Sequence, residues 1–224
     1  MARPLSQLVY TRIQDGSGSP RIITLHQHNH RGGDVREYGI AASPTARIIG
    51  LESYKGVYIG RDIVGYTWFI GPMTRPSPIY FGDALAEIER FLWDEIDRQG
   101  PGNAELPFLI GVEQGAIMAL AAAAAVPDLI SGVIAIDGTL PIVPGWTPPL
   151  VPLDDLPILL IDPPTPPVST DGVLAGEALA STLAGWGATV TRRTAPADTL
   201  PAASMSAWIA AQPVRHRQPG TAGI

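Results

Sequence analysis

One stretch, LPFLIGVEQGAIMALAAAAA from Leu106 to Ala125, constrains the fold more than any other part of the chain. The apolar run up to Val112 does not alternate with polar residues, which suits a strand covered on both faces of a parallel sheet. The alanine-rich run after Glu113 suits a buried helix. Between them, Gly111-Val112-Glu113-Gln114-Gly115 leaves room only for a sharp reversal. This is the G-x-S-x-G frame of a nucleophile elbow, with a carboxylate in place of the serine hydroxyl.

The rest of the chain repeats the alternation. Arg21–Leu25, Arg47–Leu51, Pro107–Val112, Gly132–Ile136 and Pro157–Ile161 are short Ile/Val/Leu-rich runs that read as strands, with Leu8–Ile13 as an early edge strand. Asp83–Arg98, Gln114–Val126, Thr170–Trp186 and Ala202–Ala211 read as helices. Asp83 is the expected N-cap of the first, ahead of Leu85, Ile88, Phe91 and Leu92 at helical spacing. The fold class is α/β: a mostly parallel, doubly wound central sheet flanked by helices. With 224 residues, 46% of them hydrophobic, a single domain over residues 1–212 is expected, followed by a flexible Pro/Gly-rich tail at 213–224.

Composition excludes more than it identifies. A net charge of −6 argues against nucleic acid as a partner. With no cysteine there are no disulfides and no thiolate ligands. The N-terminal segment shows no secretory pattern, and the apolar helix near Ala116–Val126 is too short for a bilayer, so a cytoplasmic protein with no membrane partner is expected. Assembly as a homodimer is left open.

The residues from Leu106 to Pro141 resemble the core of the phospholipase/carboxylesterase group of α/β-hydrolases, which includes acyl-protein thioesterases. GVEQGAIMALAAAAAVPDLISGVIAIDGTLP follows that group's elbow, helix and next strand. TLH ahead of RGGD (Arg31–Asp34), GYTWF (Gly65–Phe69), LPILLID (Leu156–Asp162) and LAGWGATV (Leu183–Val190) extend the resemblance along nearly the whole chain, in order. The resemblance implies an α/β-hydrolase-type fold. It also implies a Ser-His-Asp triad, and here the chain departs. Glu113 stands at the serine position, Pro166 where the aspartate is expected and Asp198 where the histidine is expected. A serine relay needs a hydroxyl, a base and an orienting acid, so serine esterase chemistry is not expected.

A second departure lies in the loop that follows the first central strand. It reads LHQHNHRGGD, about three residues longer than the resembling family's oxyanion loop, and carries His26, His28 and His30. The resemblance places this loop beside the elbow. Imidazoles two residues apart on extended chain share a side, and imidazole with carboxylate is an ordinary ligand set for iron, manganese or zinc. His28, His30 and Glu113, with His26 as a further ligand, are therefore the candidate site for a divalent metal ion, and Glu113 and Asp198 the candidate catalytic residues. The lone-residue alternatives are a structural His26 and a solvated polar loop for His28 and His30. Asp34, Asp137 and Asp162 read as acids that cap turns.

Tyr54, Tyr58, Tyr66 and Trp68 fall in the segment that borders the substrate cleft in the resembling family, and with Gln114 they are the candidate contacts to a small-molecule substrate. The function expected from these readings is a metal-dependent enzyme acting on a small organic substrate, with dioxygenase-type oxidoreductase chemistry favoured over hydrolysis. Two alternatives stand beside it: a metal-free enzyme with Glu113 as general base, and a non-catalytic pseudohydrolase that binds a ligand.

Overall fold

The computed structural model describes residues 5–16, 18–100, 102, 104–164, 173–196 and 199–217. Its centre is a sheet of seven strands: β1 (Val9–Asp15), β2 (Gly18–Leu25), β3 (Ala46–Glu52), β6 (Phe108–Val112), β7 (Gly132–Ile136), β8 (Pro157–Asp162) and β9 (Thr189–Thr194). The order is β1-β3-β2-β6-β7-β8-β9. Only β1 runs antiparallel to its neighbour; the other ladders are parallel. A separate hairpin, β4 (Lys55–Ile59) with β5 (Asp62–Thr67), stands off the sheet.

The helices are α1 (Arg36–Ala42), α2 (Pro78–Asp97), α3 (Gln114–Ala125), α4 (Gly176–Gly185) and α5 (Ala202–Ala211). Period-two alternation along the strands divides the apolar residues between two cores. Ile23, Leu25, Leu109 and Val133 pack with α2, α3 and α4 on one face. Ile22, Phe108, Ile110 and Ile134 pack with residues of α1 and α5 on the other. Strands covered on both sides can be apolar throughout, and all five residues of β6 are buried.

The expected strands and α/β class are present, with differences at the margins. α2 begins at Pro78, five residues before Asp83, with Ser77 as its N-cap. Proline at the first helical position has the right φ and no N–H to waste, and Phe81 already packs in the core from the first turn. α4 is shorter than its expected span, and residues 165–172 lie outside the described residues. The tail is paired as far as Arg217: Leu106 donates to the Arg215 carbonyl (2.9 Å) and Arg217 to the Ala104 carbonyl (2.8 Å). His216 forms a bridge with Glu105. Among the described residues, no helix is long and apolar enough to cross a membrane.

The connections reverse direction between β2 and β6. From β2 the chain moves outward to β3, and after the hairpin and α2 it returns to the other side of β2. Loops leaving the carboxyl ends of two strands at such a point diverge and open a crevice. The His26–Arg31 loop and the Glu113 elbow are those two loops.

Candidate active site

Glu113 has φ 48° and ψ −110°, a backbone conformation that L residues rarely adopt. It is held there from both sides. Its N–H donates to the Ile136 carbonyl (2.9 Å), and its carbonyl accepts from Ile117 (3.0 Å) in the first turn of α3. The flanking glycines permit the reversal: a Cβ on Gly111 would strike the Gly115 backbone, and one on Gly115 would strike the carbonyls of Leu25 and His26. The side chain of Glu113 is half-buried. The N–H of Gln114 is the first of α3, among the donors that a helix cannot satisfy internally.

Behind the elbow, Gln114 is buried and locked. Its Oε1 accepts from the Trp68 N–H (2.7 Å) and lies 3.0 Å from Thr67 Oγ1; its Nε2 donates to the Phe69 carbonyl (3.1 Å). The hairpin is thereby fastened to the elbow. It is also fastened to the β2 loop, where Asn29 and Tyr66 exchange backbone bonds with the strand and loop opposite: Asn29 N–H to Tyr66 O (2.9 Å) and Tyr66 N–H to His30 O (3.0 Å).

The three histidines of that loop separate. His26 is fully buried and stacks on Trp68 with centroids 4.9 Å apart. Its Nδ1 donates to the Gln27 carbonyl (2.7 Å), and its Nε2 accepts from the Ser53 N–H (3.2 Å). Both ring nitrogens are therefore committed. Burial above all pushes its pKa down to about 4, so the ring is neutral. His28 is exposed, with Nδ1 3.1 Å from Thr67 Oγ1, and lines a cleft together with Glu113. His30 turns its Nδ1 onto the backbone carbonyl of His28 (2.9 Å) and lines a different, polar pocket with Asp34 and Glu37. Among the described residues, no group of three or more His, Asp or Glu side chains is placed to hold a metal ion. The physical reason is local: the inserted loop is not a flat strand, and Asn29 at φ 61° turns it, so residues two apart do not share a side.

The cleft beside Glu113 encloses about 620 Å³ between the elbow and the hairpin, with Lys55, Val57, Thr67, Phe69 and Met73 among its walls. Of the aromatic candidates, Trp68 lies wholly in the core and donates its Nε1–H to the His26 carbonyl (2.8 Å). Tyr54 and Tyr58 are exposed on the hairpin. Tyr66 lies under the Arg31 guanidinium, 5.6 Å from the ring centroid. Asp198 and Pro166 lie outside the described residues.

On its other side Glu113 lines a smaller cavity with Tyr38, Asp137, Pro163 and Thr199. None of these four was among the expected site residues, and Asp137 read only as a turn-capping acid. Val112 pairs with Ile136, so Glu113 and Asp137 leave adjacent strands at the same level. Parallel strands lie about 5 Å apart, so the two residues leave the sheet as neighbours and line one cavity. Asp137 also has positive φ, at 52°. Its pKa is raised, first by partial desolvation against the cavity wall and then by the charge of Asp162. Asp162 itself is buried and paired with Arg192, taking bonds from its Nε (2.8 Å) and Nη2 (2.7 Å). Tyr38 holds its phenolic proton firmly; burial raises its pKa, and the charges of Glu37 and Glu113 add to this. The signal available in sequence was Asp137 at the end of GVIAI, one strand over from the elbow.

No family model matches the chain. A curated relative, the protein NocK of Nocardia uniformis subsp. tsuyamanensis, provisionally designated an esterase, is 29% identical over 182 residues. That match takes in 68% of this chain and 49% of the relative, so the chain spans about half the relative's length. Among solved structures, a Bacillus cereus carboxylesterase superposes with a TM-score of 0.70 at 16% identity, covering 92% of each chain. A Mesorhizobium loti carboxylesterase gives 0.66 at 20% identity, covering 85% of this chain and 88% of that one. A phospholipase/carboxylesterase from Dyadobacter fermentans gives 0.62 at 18% identity, covering 94% and 99%. These likenesses speak for the fold. Together with the divergence of the three histidines they correct the expectation of a metal-dependent, dioxygenase-type oxidoreductase: the ligand set does not assemble, and the similarity runs to esterase-type proteins.

Proposed function

We propose that this chain, which has the α/β-hydrolase fold of carboxylesterases and phospholipases, is an ester hydrolase that works through two carboxylates, Glu113 and Asp137. The observation that carries the reading is their juxtaposition: two neighbouring strands end in acids at one level, both in left-handed backbone, on one cavity. Holding a non-glycine residue in such a conformation costs on the order of 1–3 kcal/mol. The esterase designation of the Nocardia relative supports the same class of substrate.

The chemistry follows from the two environments. Glu113 takes a proton from water as the water oxygen bonds to the ester carbonyl carbon. The developing oxyanion meets the Gln114 N–H at the start of α3, where the helix dipole favours negative charge. When the tetrahedral intermediate collapses, the carbon–oxygen bond to the alcohol breaks, and the leaving oxygen takes the proton held by Asp137. Glu113 then passes the proton it gained to Asp137, restoring the starting state. Water and ester are consumed; acid and alcohol leave. Asp137, whose pKa burial and the charge of Asp162 raise, takes the acid role in this cycle, and Glu113 at the elbow takes the base role. In this reading the substrate is a small molecule met in the cytoplasm.

The test is turnover of a panel of short-chain phenyl and alkyl esters by the wild type, Glu113→Gln and Glu113→Ala. Loss of a general base lowers kcat/KM by about 10²–10⁴-fold. Fluorophosphonate probes leave the active protein unlabelled, because Glu113 offers no hydroxyl. A wild type that turns over no ester, activity retained in Glu113→Gln, or stoichiometric serine labelling that abolishes activity overturns the reading.

A further inference from the structure

Lys55 is the one lysine in the chain, among fourteen arginines. It opens β4 directly opposite Thr67 on β5. Residues opposite each other in an antiparallel pair send their side chains to one face. Thr67 reaches Gln114 and His28, so that face is the cleft beside Glu113. The ammonium at the end of Lys55 is shielded from solvent, yet among the described residues it has no hydrogen-bond partner. It sits 3.8 Å from the centroid of the Tyr54 ring, which attracts the charge but fills none of the N–H donors as an oxygen would.

The neighbouring acids do not pair with it. Glu87 is occupied by Ser6, the Gln7 N–H and Arg90. Asp83 is exposed on α2. Burial accordingly lowers the pKa of Lys55, with these two acids opposing the shift. A desolvated ammonium with open donors is costly until an anion meets it.

We infer that Lys55 anchors a carboxylate carried by the substrate. Val57, Phe69 and Met73 supply apolar wall to the cleft that Lys55 and Glu113 also line. The occupant that matches one ammonium, an apolar wall and an ester-cleaving carboxylate is a short aliphatic acyl chain ending in a carboxylate, a monoester of a dicarboxylic acid. A single ammonium matches the single negative charge that one carboxylate presents to it, where a phosphate presents up to two. The inference rests on the hydrolase reading for the ester end and on Lys55 alone for the carboxylate end.

The experiment compares kcat/KM for monoethyl glutarate and ethyl pentanoate, which differ in the terminal carboxylate, in the wild type, Lys55→Met and Lys55→Arg. Glutarate binding to the same proteins is measured by calorimetry. A hydrogen-bonded charge contact gives the wild type a preference of about 10–100-fold for the glutarate ester. That ratio collapses to near one in Lys55→Met and survives in Lys55→Arg. Free glutarate binds the wild type and binds Lys55→Met at least about tenfold more weakly. Equal rates for the two esters in the wild type, a preference that survives in Lys55→Met, or no glutarate binding by the wild type overturns the inference. Lysine-dependent glutarate binding without turnover of either ester would instead remove the hydrolase reading and leave the anion site standing.

Discussion

His26 shows how far a single residue can depart from its sequence appearance. As one of three clustered imidazoles it resembled a ligand; in the fold it is a buried, neutral ring between Trp68 and the Ser53 amide. Its pKa falls from 6.5 to about 4 because burial disfavours the charge. A group depressed in the folded state gives its full stability above the unfolded pKa and loses it as pH falls through the folded one. Stability attributable to His26 is therefore intact above pH 6.5 and is lost toward about pH 4, a loss on the order of 3 kcal/mol. Denaturant unfolding at intervals across this range measures it, and His26→Gln, which cannot take the charge, gives a flatter profile. Asp137 departs in the opposite sense. It is an ordinary strand-end acid by sequence, and only the β6–β7 register sets it beside Glu113. Residue identity carried Glu113; residue partnership had to come from the fold.

At the scale of elements, the elbow was readable because its demands are local. Two glycines, a buried strand and an apolar helix leave one solution for Gly111–Gly115, and Glu113 adopts it. The β4–β5 hairpin was not readable. Its strands are largely half-buried or exposed and do not alternate cleanly, and it is held by a side-chain network formed only across long separations. The Thr67 hydroxyl lies 2.8 Å from the Phe69 carbonyl, 3.0 Å from Gln114 Oε1 and 3.1 Å from His28 Nδ1. Thr67→Val keeps the volume and removes that shared hydroxyl. It should cost about 1–3 kcal/mol in unfolding free energy, and should raise KM for any ester bound in the cleft as the hairpin loosens from the elbow. Unfolding and steady-state kinetics on the same preparation check both. Unchanged stability would show that the network contributes nothing.

For the whole molecule, strand composition and β/α alternation were enough to give a mostly parallel sheet, because strands covered on both faces must be apolar and parallel strands need crossovers. The metal centre failed at this same scale. It required that loop residues brought to one end of the sheet also converge, and the divergence of His26, His28 and His30 shows that proximity along the chain is not convergence in space. What the sheet does bring together is the pair of acids at the ends of β6 and β7. The central claim is that one is the base and the other the acid of ester hydrolysis, and the leaving group reads this directly. Phenoxide departs without needing a proton, whereas ethoxide needs one. The measurement is the ratio of kcat/KM for ethyl acetate to that for phenyl acetate, in the wild type and in Asp137→Asn; asparagine tolerates the left-handed backbone of this position. The account predicts that the ratio falls by about 10²-fold or more in the variant, the worth of a lost general acid. An unchanged ratio, or a wild type that hydrolyses neither ester, would contradict it.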